Sequence, residues 1–249
     1  RTIFLGESMQ QKMHMTQHPG LDPPPFVSEI VDVQGSNIFI KSTYCYPRGG
    51  GQPGDTGIIE SKDSKSRMLE VISGDMIPHP VEEPDLFDIG ELITCHIDVE
   101  RRNRHTRMHT AQHIVSAIAE DIWGAETVGN QLTYDKSRVD LLFEDKSKFD
   151  PDELVSNVND ILSQNIPVNI HQWSREQIME HEKMRHTKFM DRIPSSVKEL
   201  RVVEVEGIDL CPCAGTHVDN TANIPLIEYV GKKNKGKGRI RFSYTFEKQ

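Results

Sequence analysis

Four residues of this 249-residue chain have the types and spacing to hold one metal ion. His109 and His113 are four apart, so on a helix both imidazoles project from one face toward one point. That spacing alone also arises from solvated or core histidines. A second pair lies much further along, in Asp209-Leu-Cys-Pro-Cys-Ala-Gly-Thr-His217. There Cys213 and His217 are separated by a stretch containing Gly215, which lets the backbone curl until both side chains reach one ion. Three imidazoles and a thiolate form a nitrogen–sulfur set of the softness zinc prefers. The competing reading is coincidence, a histidine-rich helix and a cysteine-containing turn that never meet.

A zinc held this way has two chemical uses. It lowers the pKa of a water to about 7, or it holds an amino group and orients the neighbouring carbonyl. His217 is either the fourth ligand or, standing off the metal, a general base, because four protein ligands close a zinc site unless it expands. His105, four residues before His109, is an alternative partner whose plainer reading is a basic helix surface. Cys211 lies two residues from Cys213; in an extended stretch it points nearer a buried, neutral environment than toward the ion.

Elements must exist to position these groups. Asp98 can cap a helix through VERRNRHTRMHTAQHIVSAIAEDIW, with Met108, Ala111, Ile114, Val115, Ile118 and Ile122 on its apolar face and Gly124 closing it. Before it, PGLDPPP breaks regular structure. FVSEIVDV, NIFIKSTYCY, GIIES, RMLEVI and LITCHIDV then alternate as short strands, interrupted by a glycine-rich loop from Gly49 to Gly57. After the helix, RVDLLFE, VNIHQW, LRVVEVEG, IPLIEYVG and RIRFSYTF read as strands. Asp150-Pro151 opens a second helix with Leu154, Val158 and Ile161 inward, and Ser174-Arg-Glu-Gln177 is a capping box for a third. The expected fold is α+β: a small N-terminal β-barrel over residues 1–98, then an α+β domain with the metal site over residues 99–249.

Composition bounds the partners. A net charge of −9 argues against a general nucleic-acid binder. Two local basic stripes suffice for phosphate contact: Arg101, Arg102, Arg104 and Arg107, and the tail of Lys232, Lys233, Lys235, Lys237, Arg239 and Arg241. Four cysteines, two of them isolated in strand-like segments, are no disulfide framework. No apolar run approaches membrane-spanning length, and RTIFLGESMQQKMHM makes a poor export signal, so no membrane partner and a cytoplasmic location are expected.

HTAQH followed by CAGTH resembles the editing domain of alanyl-tRNA synthetase and the free-standing AlaX-type trans-editing proteins. The threonyl-tRNA synthetase editing domain shares only the HxxxH and CxxxH pair. Tyr46-Pro-Arg-Gly-Gly-Gly-Gln-Pro-Gly-Asp-Thr-Gly57 is similar to the glycine-rich motif of the small barrel ahead of the alanyl editing domain, and the likeness covers about residues 26 to 245. The resemblance implies the medium-length AlaX class: a Zn2+-dependent deacylase that hydrolyses serine from mischarged tRNA(Ala) in trans, with the removal of glycine left open. It implies His109, His113, Cys213 and His217 as metal ligands. Thr127 becomes the reader of the serine hydroxyl, with Asn130 and Gln131 as alternates in a loosely defined turn. Gly50, Gly51, Gln52 and Asp55 would contact substrate, with Arg104, Arg107, Lys232, Lys235 and Lys237 on tRNA phosphates. Two rival functions are an RNA-binding module with a structural zinc and no turnover, and a zinc hydrolase of an unrelated small ester.

Overall fold

The computed structural model describes residues 10–248, so most of the N-terminal segment discussed above lies outside the described residues. The chain divides into two compact units. One comprises residues 10–49 with Pro53–Asn103; the other comprises Gly50–Gln52 with residues 104–248. Among the described residues no helix is long and apolar enough to cross a membrane.

The first unit is built from β1 (Gln11–Lys12), β2 (Phe26–Gln34), β3 (Asn37–Ile40), β4 (Ser42–Thr43), β5 (Gly57–Glu60), β6 (Lys65–Met68), β7 (His79–Pro80) and β8 (Leu92–Ile97). Six strands form one antiparallel sheet in the order β6-β5-β8-β2-β3-β7, while β1 and β4 pair in parallel. Alternation does the sorting: along β8, Ile93, Cys95 and Ile97 point into the core and their neighbours do not. An irregularity between Ile30 and Asp32 bends β2. The sheet curls, and residues at its two outer edges, Met68 and Val81, meet in a bridge. Of the strand expected over RMLEVI, only the first residues join the sheet.

Asp55 takes a different place from the substrate-contacting one expected of it. It is 2% exposed, and its carboxylate accepts from Arg102 Nε at 2.9 and 3.1 Å and from the Tyr46 backbone N–H at 2.7 Å. Arg102 is itself fully buried and donates further to Tyr44 O at 2.8 Å. The pair is thus an internal anchor of the glycine-rich loop's flank, and Arg102 is no part of an exposed basic stripe.

The second unit contains β9 (Glu126–Gln131), β10 (Ser137–Leu142), β11 (Val168–Ser174), β12 (Glu199–Val205), β13 (Asp209–Pro212), β14 (Ile227–Gly236) and β15 (Arg239–Phe246). They form two antiparallel sheets, β14-β15-β10-β9 and β11-β12-β13. Three helices accompany them: α1 (Val99–Trp123), α2 (Pro151–Leu162) and α3 (Arg175–Glu180). The division into units falls within α1, after Asn103.

Asp98 accepts from the Arg101 N–H at 3.0 Å and starts α1; Gly124, at φ +62°, ends it. Every residue from Met108 to Ala117 is buried, polar and apolar alike, so this is a core helix rather than a surface one. Ile122, expected inward, is 39% exposed because the helix leaves the core at its end. In α2, Asp150 caps the Asp152 and Glu153 N–H groups, and Leu154, Val158 and Leu162 are buried; Ile161 lies beside that stripe. The capping box at Ser174 forms, but α3 ends after six residues, where His181 turns extended.

β9 replaces the turn expected around Thr127. Its register with β10 shifts: Gly129 faces Asp140, Thr127 faces Leu141, and Val128 is the extra residue of a bulge.

Removing the buried anchor of the first unit should be costly. Asp55→Ala strands the Arg102 charge in the core and should destabilise the protein by about 3–5 kcal/mol, read from urea midpoints. A loss well under about 1 kcal/mol would mean the pair is solvated.

Candidate metal centre

Two elements supply the four donors. His109 and His113 sit one turn apart on α1. Cys213 directly follows β13, and a turn carries the chain to His217. That turn is held from below by Arg201 on β12, which donates to Cys213 O at 3.0 Å and Gly215 O at 2.7 Å. Gly215 passes so close to the helix that a Cβ there would lie 2.0 Å from His109 Cε1. Only glycine fits.

The donor atoms of His109, His113, Cys213 and His217 all lie within 4.8 Å of one another. Cys213 Sγ is 3.6 Å from His109 Nε2 and 3.4 Å from His217 Nε2. With zinc–nitrogen and zinc–sulfur bonds of their usual lengths, two donors on a tetrahedral ion stand about 3.6 Å apart. The two distances from Cys213 are close to that separation, and the group could hold one metal ion. The far nitrogen of each ring is occupied: His109 Nδ1 by Gln52 Oε1 at 2.7 Å, His113 Nδ1 by Asp209 Oδ2 at 2.9 Å, His217 Nδ1 by Thr110 Oγ1 at 3.1 Å. This is the outer support typical of imidazole ligands.

The electrostatics of the donors divide. Burial works to raise the Cys213 thiol, but the His109 and His217 rings and hydrogen bonds from His109 and His113 outweigh it and hold it well below its usual range. Burial, with His109 beside it, holds His217 well below the usual imidazole value and so neutral. Both are the protonation states a metal ligand needs. His113 runs the other way: against burial, which lowers it, Cys211 and the Asp209 carboxylate hold it well above the usual imidazole value, so a metal would have to displace its second proton. Burial and the Asp209 carboxylate instead push the Cys211 thiol up to about 12. His105 is buried and stands outside the four-donor group.

Gln52 belongs to the second unit with Gly50 and Gly51. Besides meeting His109, it accepts from the Thr216 N–H at 3.1 Å and donates to Thr216 Oγ1 at 2.8 Å. Gly50 O accepts from Asn130 Nδ2 at 3.1 Å, and Gly51 O from the Leu132 N–H at 2.8 Å. Asn130 Nδ2 also donates to Gln112 Oε1, Gln112 Nε2 to Ser116 Oγ, and Thr127 Oγ1 to Ser116 Oγ. A polar row thus runs along α1 from the glycine stretch past the metal ligands to Thr127. Gln112 and Ser116 were not anticipated, although their four-residue spacing could have revealed them. Thr127 also borders a cavity of about 600 Å³ with Glu120, Glu126, Arg185 and His186. Gln131 is exposed, with Oε1 taken by Arg138 at 3.0 Å.

The basic residues lie elsewhere. Arg107 comes two before His109, about 200° round the helix. Its Nε donates to Asn223 O at 2.9 Å. Arg104 Nε donates to Tyr134 O, and its guanidinium lies over the Tyr134 and Phe246 rings. Lys232, Lys235 and Lys237 are exposed on the β14–β15 hairpin, whose two-residue turn, Lys237-Gly238, has both φ positive at 45° and 76°.

Residues 200–243 match the family model of the threonyl and alanyl tRNA synthetase second additional domain. An alanyl-tRNA editing protein AlaX-M of Methanosarcina barkeri is 37% identical over 217 residues, spanning 84% of this chain and 88% of that protein. A Saccharolobus solfataricus AlaX-M is 32% identical over 223 residues, spanning 88% and 93%. The alanine–tRNA ligase of Methanosphaera stadtmanae is 32% identical over 244 residues, which are 94% of this chain and 27% of the ligase.

Gly215→Ala should drive the His109 ring out of the cluster and strip the protein of its metal while the fold persists. Gly231→Ala, where a Cβ meets nothing within 4 Å, should retain it. Metal content per chain by elemental analysis distinguishes the two; equal loading would show that the Gly215 turn can yield.

Proposed function

This chain belongs to the alanyl-tRNA editing AlaX-M family, and we propose on that premise that it is a zinc-dependent deacylase, cytoplasmic, removing serine and glycine from mischarged tRNA(Ala) in trans. The observation that carries the reading is the convergence of three imidazoles and one thiol at zinc-like spacing beside a row of polar side chains. A bound zinc would supply Lewis acidity, activating a water or holding the amino group of the aminoacyl ester so that its carbonyl is oriented.

The chain's own residues do the rest. His109, His113, Cys213 and His217 hold the ion, and Gln52, Asp209 and Thr110 fix the ring planes. His217 acts as ligand rather than base: it is fully buried, one nitrogen facing Thr110 and the other Cys213, which leaves neither for a substrate proton. Gly50 and Gly51 shape the wall opposite α1, with no side chain to intrude.

Serine needs such a site because a pocket sized for alanine excludes an added hydroxyl only about a hundredfold. A second site rejects alanine by leaving a polar group unpaired. Thr127 is the reader: its hydroxyl donates to Ser116 and keeps its lone pairs for the substrate. Asn130 is already committed through its amide to Gly50 and Gln112, and Gln131 to Arg138. Lys232, Lys235 and Lys237 meet backbone phosphates, with Arg104 and Arg107 as a separate contact.

Deacylation of serine- and alanine-charged tRNA(Ala) tests the assignment. Serine should be released far faster; a zinc-loaded protein that binds the tRNA without turnover would make it a binding module instead. Thr127→Val should slow serine release by about 1–3 kcal/mol of barrier, leave alanine release nearly unchanged and keep zinc content constant. A parallel fall in both rates would give Thr127 a structural role. Replacing Lys232, Lys235 and Lys237 together by alanine should lower the salt dependence of tRNA binding by about one unit of slope per lysine. An unchanged slope would free the hairpin of any phosphate role.

A further inference from the structure

His113 stands between two buried groups. Its Nδ1 lies 2.9 Å from Asp209 Oδ2 and 3.3 Å from Cys211 Sγ, and these three residues have the donor types of a metal set of their own. A neutral imidazole has one lone pair, on Nδ1 or on Nε2, and so serves one of the two groups. The three-residue group offers fewer donors, and Arg185 Nε lies 3.7 Å from Asp209 Oδ1, a fixed positive charge beside any cation bound there. A carboxylate accepting from Nδ1–H leaves the opposite nitrogen as the free lone pair, which is the one needed by the four-donor cluster.

We propose that Asp209 is a positioning residue for His113, fixing its tautomer and ring plane for the metal, and that Arg185 holds Asp209 in place. This rests on the metal-dependent reading above. Arg185 is anchored on several sides. Its guanidinium reaches Glu120 at 3.1 Å and Asp121 at 2.7 Å near the end of α1, and its backbone N–H donates to Leu210 O at 2.8 Å on β13. Asp209 lies on the strand that leads to Cys213, so one carboxylate ties the helical ligands to the turn that carries the other two.

The test follows zinc itself. Zinc release from the loaded full-length chain into a chromophoric chelator is timed for the wild type, Asp209→Ala, Asp209→Asn, Cys211→Ser and Cys213→Ser, with zinc per chain counted for each. Asp209→Ala should release zinc about 10–100-fold faster. Asp209→Asn, which keeps an acceptor facing Nδ1–H, should recover most of that loss. Cys211→Ser should hold one zinc and release it at the wild-type rate, while Cys213→Ser should hold little. Loss of zinc from Cys211→Ser, or two zinc ions per chain, would move the metal to the Asp209 group and overturn the proposal. So would wild-type release from Asp209→Ala, or an Asp209→Asn as fast as Asp209→Ala. Turnover is not the readout, so a zinc-loaded chain without deacylase activity would sink the functional reading and leave this result standing.

Discussion

An imidazole swings about its last side-chain bond unless its far nitrogen is held. Three such rings converge beside one thiol in the second unit, and each takes its hold from a different place: Gln52 from the glycine-rich loop, Asp209 from β13, Thr110 from α1 itself. Much of the second unit's arrangement serves that requirement. It explains why Gly50–Gln52 clusters with residues far along the chain, and why Arg201 clamps the turn after Cys213 by its carbonyls. Gly215 is the corresponding steric condition, because the turn touches the His109 ring.

The same requirement makes α1 unusual in composition. Its buried stretch carries threonine, glutamine, serine and histidine, each costly to bury without a partner. Partners are present: Thr106 meets Thr216 at 2.7 Å, Thr110 meets His217, and Gln112 meets both Ser116 and Asn130. A network of this kind specifies one packing of the helix, since any rotation would orphan several groups at once.

Local signals were legible in the sequence. The four-residue spacing of His109 and His113, the caps at Asp98 and Asp150 and the box at Ser174 all depend on neighbours a turn away. What could not be read is what depends on distant partners. Glu126-Thr-Val-Gly-Asn-Gln131 contains glycine and asparagine, poor strand formers, and becomes β9 only because β10 pairs with it. Asp55 and Arg102 look like surface charges until they are found to neutralise each other in a core. Gln52 stands in a stretch expected to contact substrate, and only folding brings it to His109. The α+β class followed from the alternation of periods; the curl of the first sheet depends on strand pairings that no local pattern encodes.

The bulge at Val128 has a consequence of phase. In a regular strand Thr127 and Asn130, three positions apart, would face opposite sides of the sheet. Here both reach α1, Thr127 to Ser116 and Asn130 to Gln112, because the extra residue between them restores the parity. The polar row beside α1 is therefore written in the bulge of β9 as much as in its residues. Exchanging one side chain for another edits a single letter of that row. Pairing Val128 regularly with β10, the chain length unchanged, would turn either the hydroxyl or the amide away from the helix, with both residues still present in the chain.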